Sequence, residues 1–352
     1  MSPSAPTKRK TPAGRPRRTE HVVEIEGRQL KLSNLEKVLY PGSGFRKADV
    51  IDYYARIAPV MLPHLSARPI TLKRYPDGVD ASYFYEKQCP VYRPDWLTTA
   101  PVQSSTKLIN FCVIEDLPSL VWVANMASLE IHTYLARGRN PERPDFIAFD
   151  FDPGPPAGVA ECIRVALRVR ALLDDMGLRS FPKVSGGKGL HLYVPLNTPV
   201  TFDRTKPFAR AIAQTLERDD PKRITSKMRK DLRKNKVFVD WSQNDKHKTT
   251  VCAYSLRARE RPTVSMPVSW EELEEAATRR RFDALVFEAA DALARVEESG
   301  DPFEPVLTLK QKLPGFDAAL QHAAPAKSGF RPISAGVQSK STNSQRRSRS
   351  RV

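Results

Sequence analysis

The spacing of apolar residues along the chain switches repeatedly between a period of two and a longer, helical period. Alternating or wholly apolar runs predict strands at residues 21–25, 30–32, 69–75, 82–87, 110–114, 129–132, 146–152, 190–194 and 237–240. Longer runs, most with an apolar stripe, predict helices at residues 47–62, 117–126, 161–176, 208–218 and 270–277. A short helix is also expected after Ser33, because Glu36 completes a capping box. We therefore predict an α+β fold, with a modest boundary at the linker-like residues 137–141.

The composition is that of a folded domain between two strongly basic tails. Hydrophobic residues make up 40% of the 352 residues, which is enough for a packed core. Residues 1–19 carry six Lys or Arg and no acid, and residues 318–352 carry seven and no acid. The tails therefore hold 13 of the 17 net positive charges. We expect both to be disordered, and either to attract nucleic acid in a salt-sensitive way or to serve in solubility or targeting.

Two features bear on the cellular compartment. No apolar run approaches the length of a membrane span, about 18 residues, and no hydrophobic signal segment follows the basic N-terminus. The four cysteines are scattered without a Cys-x-x-Cys pair: Cys89, Cys112, Cys162 and Cys252. We therefore expect a reduced, cytoplasmic protein with no disulfide frame, no structural zinc and no membrane contact.

Carboxylates follow two of the apolar runs. Asp150 and Asp152 are two residues apart, so on a strand they share one face while the flanking phenylalanines share the other. Asp240 ends another apolar run. Carboxylate oxygens suit Mg²⁺ or Mn²⁺, and two such ions about 4 Å apart can promote phosphoryl transfer. The alternative is a strand that simply ends in the polar turn at residues 153–156.

A glycine-rich turn lies between these acids in the sequence. Residues 185–189 read Ser-Gly-Gly-Lys-Gly and lead into a strand that carries His191. Glycines let the backbone approach a phosphate closely, while Ser185 and Lys188 can donate hydrogen bonds to it. A tight hairpin is the alternative, since the spacing is neither a Walker A motif nor a dinucleotide fingerprint.

Basic residues are concentrated just before the strand of Asp240. Residues 222–236 contain eight Lys or Arg and one acid. A run of this kind is either a solvated face or a contact for a triphosphate or template strand. Arg257 and Arg259 are a further candidate anion contact.

The order of these motifs resembles that of a known superfamily. An Asp-x-Asp pair, then Ser-Gly-Gly-Lys-Gly-Leu-His, then an apolar strand with Asp resembles the three motifs of the archaeo-eukaryotic primase superfamily. More narrowly, residues from about 22 to about 313 are similar to the polymerase domain of bacterial ligase D. The resemblance implies a primase-polymerase fold with an RRM-like catalytic sheet and a second packed N-terminal α/β module. The implied segments are tails at 1–20 and 318–352 and a catalytic domain at 21–317, with modules at about 21–137 and 138–317.

The resemblance also implies roles for single residues. The metal-binding acids would be Asp150, Asp152 and Asp240, with His132 beside the active site. The nucleotide-binding residues, including those of the glycine turn, would be Ser185, Gly186, Gly187, Lys188, Gly189, His191, Arg233 and Arg257. The DNA-facing residues would be Lys73, Arg74, Phe84 and Tyr85, where Tyr85 replaces a phenylalanine of the family pattern.

Residues 32–41 match the family's N-terminal motif, which implies that a DNA 5′-phosphate binds Asn34, Lys37 and Lys47. Asn34 and Lys37 are three residues apart, so on a helix they would share its first turn, where phosphate is favoured. An ordinary exposed helix start is the alternative.

The resemblance implies an enzyme that fills short gaps at broken DNA ends, prefers ribonucleotides over deoxyribonucleotides, and uses two Mn²⁺ or Mg²⁺ ions. Ku and a separate DNA ligase are its candidate partners. No Lys-x-Asp-Gly adenylation motif or histidine-rich phosphoesterase segment is present, so we expect a free-standing enzyme. Three alternatives stay open: a primase that starts chains without a primer, a non-catalytic DNA-end binder, and a metal-dependent nuclease.

Overall fold

A computed structural model describes residues 20–104 and 106–315, and the predicted basic tails lie outside this range. The strands are β1 (Glu20–Ile25), β2 (Arg28–Ser33), β3 (Val38–Tyr40), β4 (Phe45–Arg46), β5 (Ile70–Arg74), β6 (Phe84–Glu86), β7 (Thr99–Gln103), β8 (Leu108–Cys112), β9 (Ser128–Tyr134), β10 (Phe146–Pro153), β11 (Phe181–Val184), β12 (Leu190–Pro195), β13 (Ile224–Thr225), β14 (Val237–Asp240) and β15 (Thr249–Val251). The α-helices are α1 (Lys47–Leu65), α2 (Leu117–Asn125), α3 (Val159–Asp175), α4 (Phe202–Asp219), α5 (Trp270–Arg279), α6 (Ala289–Ser299) and α7 (Glu304–Thr308). Short 3₁₀ helices cover Lys230–Arg233, Trp241–Gln243 and Phe282–Leu285.

The first sheet has five strands in the order β11–β12–β10–β14–β13. All its pairs are antiparallel except β13–β14, which is parallel. Helices α3 and α4 pack on the central strand β10. Phe149 and Phe151 of this strand are fully buried. Because side chains alternate along a strand, the two aspartates between and after these phenylalanines lie on the opposite face.

The second sheet has six antiparallel strands, in the order β15–β9–β5–β8–β7 with β6 also paired to β5. Two buried polar contacts join its edge strand β15 to the first sheet. The Tyr193 hydroxyl lies 2.8 Å from Thr250 Oγ1, and Lys183 Nζ donates to the Val251 carbonyl at 2.9 Å. One hydrophobic core includes residues of both sheets. The division near residue 137 stays a prediction.

The α+β class and the five longer predicted helices are confirmed. The helix expected after Ser33 is wrong, because residues 34–37 form a turn and Ser33 ends β2. Glu36 pairs with Arg46 at 2.7 Å instead of returning to the Ser33 backbone, whose amide donates to Asn125 Oδ1. Tertiary contacts thus take the groups that a capping box would use. The sequence patterns also missed several elements: β3, β4, β7, β11, β13, β15, α6 and α7.

The expectation of no disulfide is wrong. Cys89 and Cys112 are bonded, with Cα atoms 4.8 Å apart. Cys89 lies in the connection between β6 and β7, and its amide donates to the Asn110 carbonyl of β8 at 2.7 Å. This backbone contact brings together two cysteines whose spacing in the sequence gives no sign of pairing. Cys162 and Cys252 are buried free thiols. None of the helices within residues 20–104 and 106–315 is both long and apolar enough to span a membrane.

Candidate active site

Three carboxylates lie on one face of adjacent strands in the first sheet. Asp150 on β10 is paired in register with His191 on β12 and with Asp240 on β14, and directly opposed residues share a face. Asp152 lies two residues further along β10, on the same face as Asp150. His191 Nε2 is 3.3 Å from Asp150 Oδ1. The sheet thus brings together the three acids singled out in the sequence, with His191 beside them.

The surroundings of the β10 acids disfavour their charged forms. Burial raises the pKa of Asp150 to about 6, although Lys183 and Arg257 oppose this shift. Burial raises the pKa of Asp152 to about 7, and repulsion from Asp150 and Asp240 adds to it. A divalent cation would relieve both effects, and Mg²⁺ and Mn²⁺ prefer oxygen ligands of this kind. The donor set therefore fits such an ion.

The Asp240 carboxylate is already engaged by its neighbours. Its Oδ1 accepts hydrogen bonds from the amide and hydroxyl of Ser242, and its Oδ2 accepts one from Gln243 Nε2. Within the described part of the chain, no three His, Cys, Asp or Glu side chains are arranged so that they could hold a metal ion. A site formed by all three aspartates stays a prediction.

A cavity of about 750 Å³ opens beside the carboxylates. Asp150 and Asp152 form part of its wall, together with Ser185 and His191. Its lining also includes Asp231 and six cationic side chains: Lys188, Lys230, Arg233, Lys234, Arg257 and Arg259. Such a concentration of positive charge suits a polyanion, above all one with several phosphate groups.

The glycine turn is held by close backbone contacts. Gly186 has φ +68°, and a Cβ on it would lie 2.6 Å from the Val264 carbonyl oxygen. Ser185 Oγ accepts the backbone amides of Gly187 at 3.3 Å and Gly189 at 3.2 Å. These two amides therefore point at Ser185. Because Ser185 Oγ is the acceptor of both bonds, its own proton can be donated to a ligand in the cavity.

Arg233 reaches the cavity from the 3₁₀ turn before β14. Its guanidinium carbon lies 3.8 Å from the centroid of the Phe238 ring, and Nη1 is 3.7 Å from Asp152 Oδ2. Its Nη2 donates to the Met228 carbonyl at 2.6 Å. The backbone of Arg233 lies so close to Gly154 that a Cβ on this glycine would overlap the Arg233 carbonyl. The chain therefore fixes both the backbone and the head group of this arginine.

A buried carboxylate that sequence reasoning missed connects three of the predicted site residues. Glu130 on β9 is 2% exposed, and its carboxylate lies 3.0 Å from His132 Nε2, 3.4 Å from Lys73 Nζ and 3.5 Å from Arg257 Nε. Burial alone would raise its pKa, but the His132 hydrogen bond and the charges of Arg257 and Lys73 hold that pKa well below its usual range. The sequence did carry a sign of this buried carboxylate, since Glu130 is an acid in the middle of an apolar strand.

The predicted DNA-facing residues of β5 and β6 form a cluster in which the aromatic rings are exposed. Arg74 pairs with Glu86 at 2.8 Å and lies over the Phe84 ring. Phe84 and Tyr85 are about half exposed, and so is Tyr83, which the sequence patterns did not single out. Lys73 Nζ lies 4.2 Å from the centroid of the Tyr83 ring. The two basic side chains are thus engaged within the protein, and the rings remain free to stack on bases.

Backbone hydrogen bonds place the three residues predicted to bind a 5′-phosphate beside the start of α1. Asn34 lies in the turn after β2 with φ +54°, and so not on a helix. The Lys47 amide donates to the Lys37 carbonyl at 2.8 Å. Lys37 Nζ pairs with Asp77 at 2.6 Å, whereas the buried Lys47 donates to the Ser33 carbonyl. Lys37 is therefore the more accessible of the two ammonium groups.

Comparison with known proteins places this site in a family. Residues 46–303 match the family model described as LigD, primase-polymerase domain. The chain is 42% identical over 281 residues to the multifunctional non-homologous end joining protein LigD of Mycolicibacterium smegmatis, covering 79% of this chain and 36% of that protein. It is 30% identical over 276 residues to the bifunctional non-homologous end joining protein LigD of Bacillus subtilis, covering 78% and 44%.

A solved structure is also similar to this chain. The polymerase domain from Mycobacterium tuberculosis ligase D, in complex with DNA, matches with a TM-score of 0.75 and 42% identity. The match covers 80% of this chain and 99% of that domain. The chain spans less than half the length of the two curated relatives. Since the family model covers most of the chain and a solved polymerase domain matches it at 42% identity, the chain belongs to the LigD primase-polymerase domain family.

Proposed function

We propose that the chain is a DNA-directed nucleotidyltransferase that adds nucleotides, preferably ribonucleotides, to primer 3′ ends at short gaps or broken ends. The observation that carries this proposal is the cavity of about 750 Å³ with two carboxylates at one wall and six Lys or Arg side chains around it. The carboxylates alone would be enough for a metal-dependent nuclease. An enzyme that binds a nucleoside triphosphate also needs cations around them, to balance the negative charge of the three phosphates. Family membership agrees with this interpretation.

Asp150 and Asp152, joined by Asp240, would hold the divalent ions, Mn²⁺ or Mg²⁺. When bound, such ions activate the attacking primer hydroxyl and stabilise the charge on the leaving pyrophosphate. The protein's own contribution is positioning and charge. Arg233 and Arg257 line the cavity with fixed guanidinium groups, which bind phosphate oxygens with two parallel hydrogen bonds.

Ser185 and Lys188 lie on the glycine turn at the cavity wall and would contact the same phosphates. His191 is buried, and burial holds its pKa well below its usual range, with the charges of Lys183 and Arg257 acting in the same direction. It is therefore a neutral neighbour of Asp150. A neutral imidazole does not compete with a divalent ion for the carboxylate as an ammonium group would.

The proposal is tested with a labelled primer on a gapped duplex that carries a 5′-phosphate, given each NTP or dNTP with Mn²⁺ or Mg²⁺. An unprimed single strand is run in parallel. We expect extension of the primer, faster with ribonucleotides and Mn²⁺, and no product from the unprimed strand. Synthesis on the unprimed strand would make the chain a primase. Shortening of the primer would make it a nuclease, and binding without extension an end-binding protein.

Gly154→Ala is expected to weaken nucleotide binding, because its Cβ would displace the backbone that carries Arg233. One charge-assisted hydrogen bond is worth roughly 1.5–3 kcal/mol, so without it the KM for the nucleotide should rise about tenfold or more. Gly158→Ala is the matched control in the same loop. Its Cβ would meet only Glu161 Oε2, at 3.9 Å, and its φ of −139° suits any residue. Equal KM values for the two variants would show that the position of Arg233 does not govern nucleotide binding.

The chain is further proposed to recognise the 5′-phosphate of a gap through Asn34, Lys37 and Lys47 at the start of α1. A terminal phosphate carries nearly two negative charges and an internal diester carries one, so an ammonium group distinguishes them. The first amides of a helix also favour an anion. The curated relatives are named for non-homologous end joining. Ku and a separate DNA ligase are therefore the proposed partners, and the nucleoid region of the cytoplasm is the proposed location.

Lys37→Ala is expected to erase the preference for 5′-phosphorylated gaps while primer extension on an open template continues. The wild type should bind the phosphorylated gap about tenfold more tightly than the 5′-hydroxyl gap, since one charge-assisted hydrogen bond is worth roughly 1.5–3 kcal/mol. Fluorescence anisotropy with the two gaps measures the ratio. Asp77→Ala frees Lys37 from its ion pair and should keep or increase the preference. If the wild type binds both gaps with equal affinity, these residues do not form a 5′-phosphate site.

A further inference from the structure

Arg257, one of the cations of the cavity, lies on a hairpin formed by residues 254–266. Within this hairpin the Arg257 amide donates to the Thr263 carbonyl at 2.7 Å, and Leu256 forms an antiparallel bridge with Val264. Hydrogen bonds connect the hairpin both to the glycine turn at residues 185–189 and to β3. Elements from three distant parts of the sequence therefore meet at this arginine.

Thr263 joins the hairpin to the glycine turn. Its Oγ1 donates to the Gly186 carbonyl at 2.6 Å, and Arg257 Nη1 donates to the carbonyl of the preceding residue, Ser185. A Cβ on Gly186 would lie 2.7 Å from Arg257 Cγ, so the absence of a side chain makes room for the arginine. Thr263 thus holds the main chain of Arg257 through its carbonyl and the glycine turn through its hydroxyl.

Tyr40, which ends β3, holds the same arginine from another part of the chain. Its side chain is fully buried, and its hydroxyl donates to the Arg257 carbonyl at 3.1 Å. A buried hydroxyl without a partner is costly, so this contact is favoured in the folded state. Tyr40 belongs to the motif at residues 32–41, which the sequence connected only with a 5′-phosphate.

The two hydroxyl groups complement the contacts of the Arg257 side chain. The carboxylate of Glu130 lies 3.5 Å from Arg257 Nε and balances the charge of the guanidinium. Tyr40 contacts the Arg257 carbonyl, and Thr263 accepts the Arg257 amide. Because the guanidinium lies at the end of a long side chain, a small rotation of this main chain displaces it considerably. A misplacement of about 1 Å in a binding site can cost about a hundredfold in rate.

We propose that Tyr40 and Thr263 are positioning residues for Arg257, and that they set the affinity of the cationic cavity for the phosphates of a nucleotide. This inference rests on the proposed function, in which Arg257 contacts those phosphates. Neither Tyr40 nor Thr263 is among the residues that line the cavity. Both therefore act through the arginine and not on the nucleotide itself.

The first test measures binding without catalysis. The anisotropy of a fluorescent, non-hydrolysable ribonucleoside triphosphate gives its Kd in the presence of Mn²⁺. Tyr40→Phe and Thr263→Val each remove one hydroxyl and keep the shape of the side chain. Each should raise the Kd about twofold to tenfold, the range for one neutral hydrogen bond. Thr263→Ser retains the hydroxyl and should bind as the wild type does.

Tyr53→Phe is the matched control. Tyr53 is also buried, and its hydroxyl donates to a main-chain carbonyl of the same hairpin, that of Tyr254, at 2.7 Å. This variant loses the same kind of hydrogen bond, so its stability should fall by a similar amount, but its Kd for the triphosphate should stay within twofold of the wild type. A Kd raised as much as in Tyr40→Phe would mean a general effect on the fold and would overturn the inference.

The second test asks whether the two hydroxyls act through the arginine. In an Arg257→Ala background, neither Tyr40→Phe nor Thr263→Val should raise the Kd further, because the group that they position is gone. In primer extension, the KM for the nucleotide should follow the Kd while the KM for gapped DNA stays unchanged. Equal losses in both backgrounds, or no loss in either, would overturn the inference. A wild type that neither binds the triphosphate nor extends a primer would instead refute the proposed function itself.

Discussion

Asp150→Ala or Asp152→Ala is expected to reduce nucleotide addition on the order of a thousandfold or more, with little change in DNA affinity. Both carboxylates share one face of β10 and line the cationic cavity. Removing either one takes away oxygen ligands where the reacting phosphate must lie. The cations and aromatic rings proposed to hold DNA lie on other elements, so binding should persist. Single-turnover extension measures the first effect and anisotropy with gapped DNA the second.

Asp231→Ala is the matched control for these variants. Asp231 lines the same cavity, but it is exposed and pairs with Arg229, which is also exposed, at 2.6 Å. Surface pairs of this kind contribute about 0–1 kcal/mol, and we expect extension within a few-fold of the wild type. Near-normal extension by Asp152→Ala would show that the β10 acids do not take part in catalysis. The chain would then be better described as an end-binding protein.

The strand that carries Asp150 and Asp152 could be predicted from sequence, because the pattern that defines it is local. Two phenylalanines and two aspartates alternate along β10, and alternation alone assigns them to opposite faces. The turn at Gly186 could be predicted for the same reason, because glycine adopts a positive φ without steric cost whatever its distant neighbours are. The alternation of side chains along one strand does not give the register between neighbouring strands. That Asp150 lies opposite both His191 and Asp240 follows from long-range pairing of β10 with β12 and β14.

The errors have the same origin. The capping box after Ser33 is sound as a local pattern, yet Arg46 and Asn125 from distant elements take the groups it needs. Cys89 and Cys112 meet because the connection after β6 lies along β8, which no cysteine spacing indicates. Glu130 was missed for a related reason. Its three partners, Lys73, His132 and Arg257, come from β5, from β9 itself and from the segment after β15, so the cluster exists only in the folded chain.

Glu130→Gln is expected to lower both the stability of the fold and the affinity for nucleotide. The substitution keeps the shape of the side chain, and the remaining oxygen can still accept the Ala258 amide, which lies 3.2 Å from Oε1. It leaves Lys73 and Arg257 without their buried counter-charge. Breaking a buried ionic group by removing one partner costs about 3–5 kcal/mol. Arg257 would also be without the carboxylate that orients it in the cavity, so the KM for nucleotide should rise.

The pH dependence of stability follows from the direction of the pKa shift. The folded state holds the pKa of Glu130 well below its usual range. Its contribution is therefore fully present above the unfolded value of about 4.3, and it is lost only as the pH falls from there towards the folded value. Glu130→Gln should accordingly show the full loss of stability at neutral pH, and a smaller difference from the wild type in strong acid. Urea unfolding at a series of pH values measures this difference.

Glu86→Gln provides the control, and a double variant separates folding from binding. Glu86 pairs with Arg74 in the same sheet and is 20% exposed, and Arg74 keeps its hydrogen bonds to the Met126 carbonyl and the Tyr92 hydroxyl, so the loss of Glu86 should cost less than the loss of Glu130. Adding Lys73→Met to Glu130→Gln removes one of the uncompensated charges and should restore part of the stability. It should not restore the nucleotide KM, because Arg257 remains without its partner. Wild-type stability and wild-type KM in Glu130→Gln would show that the buried carboxylate does not position the arginine.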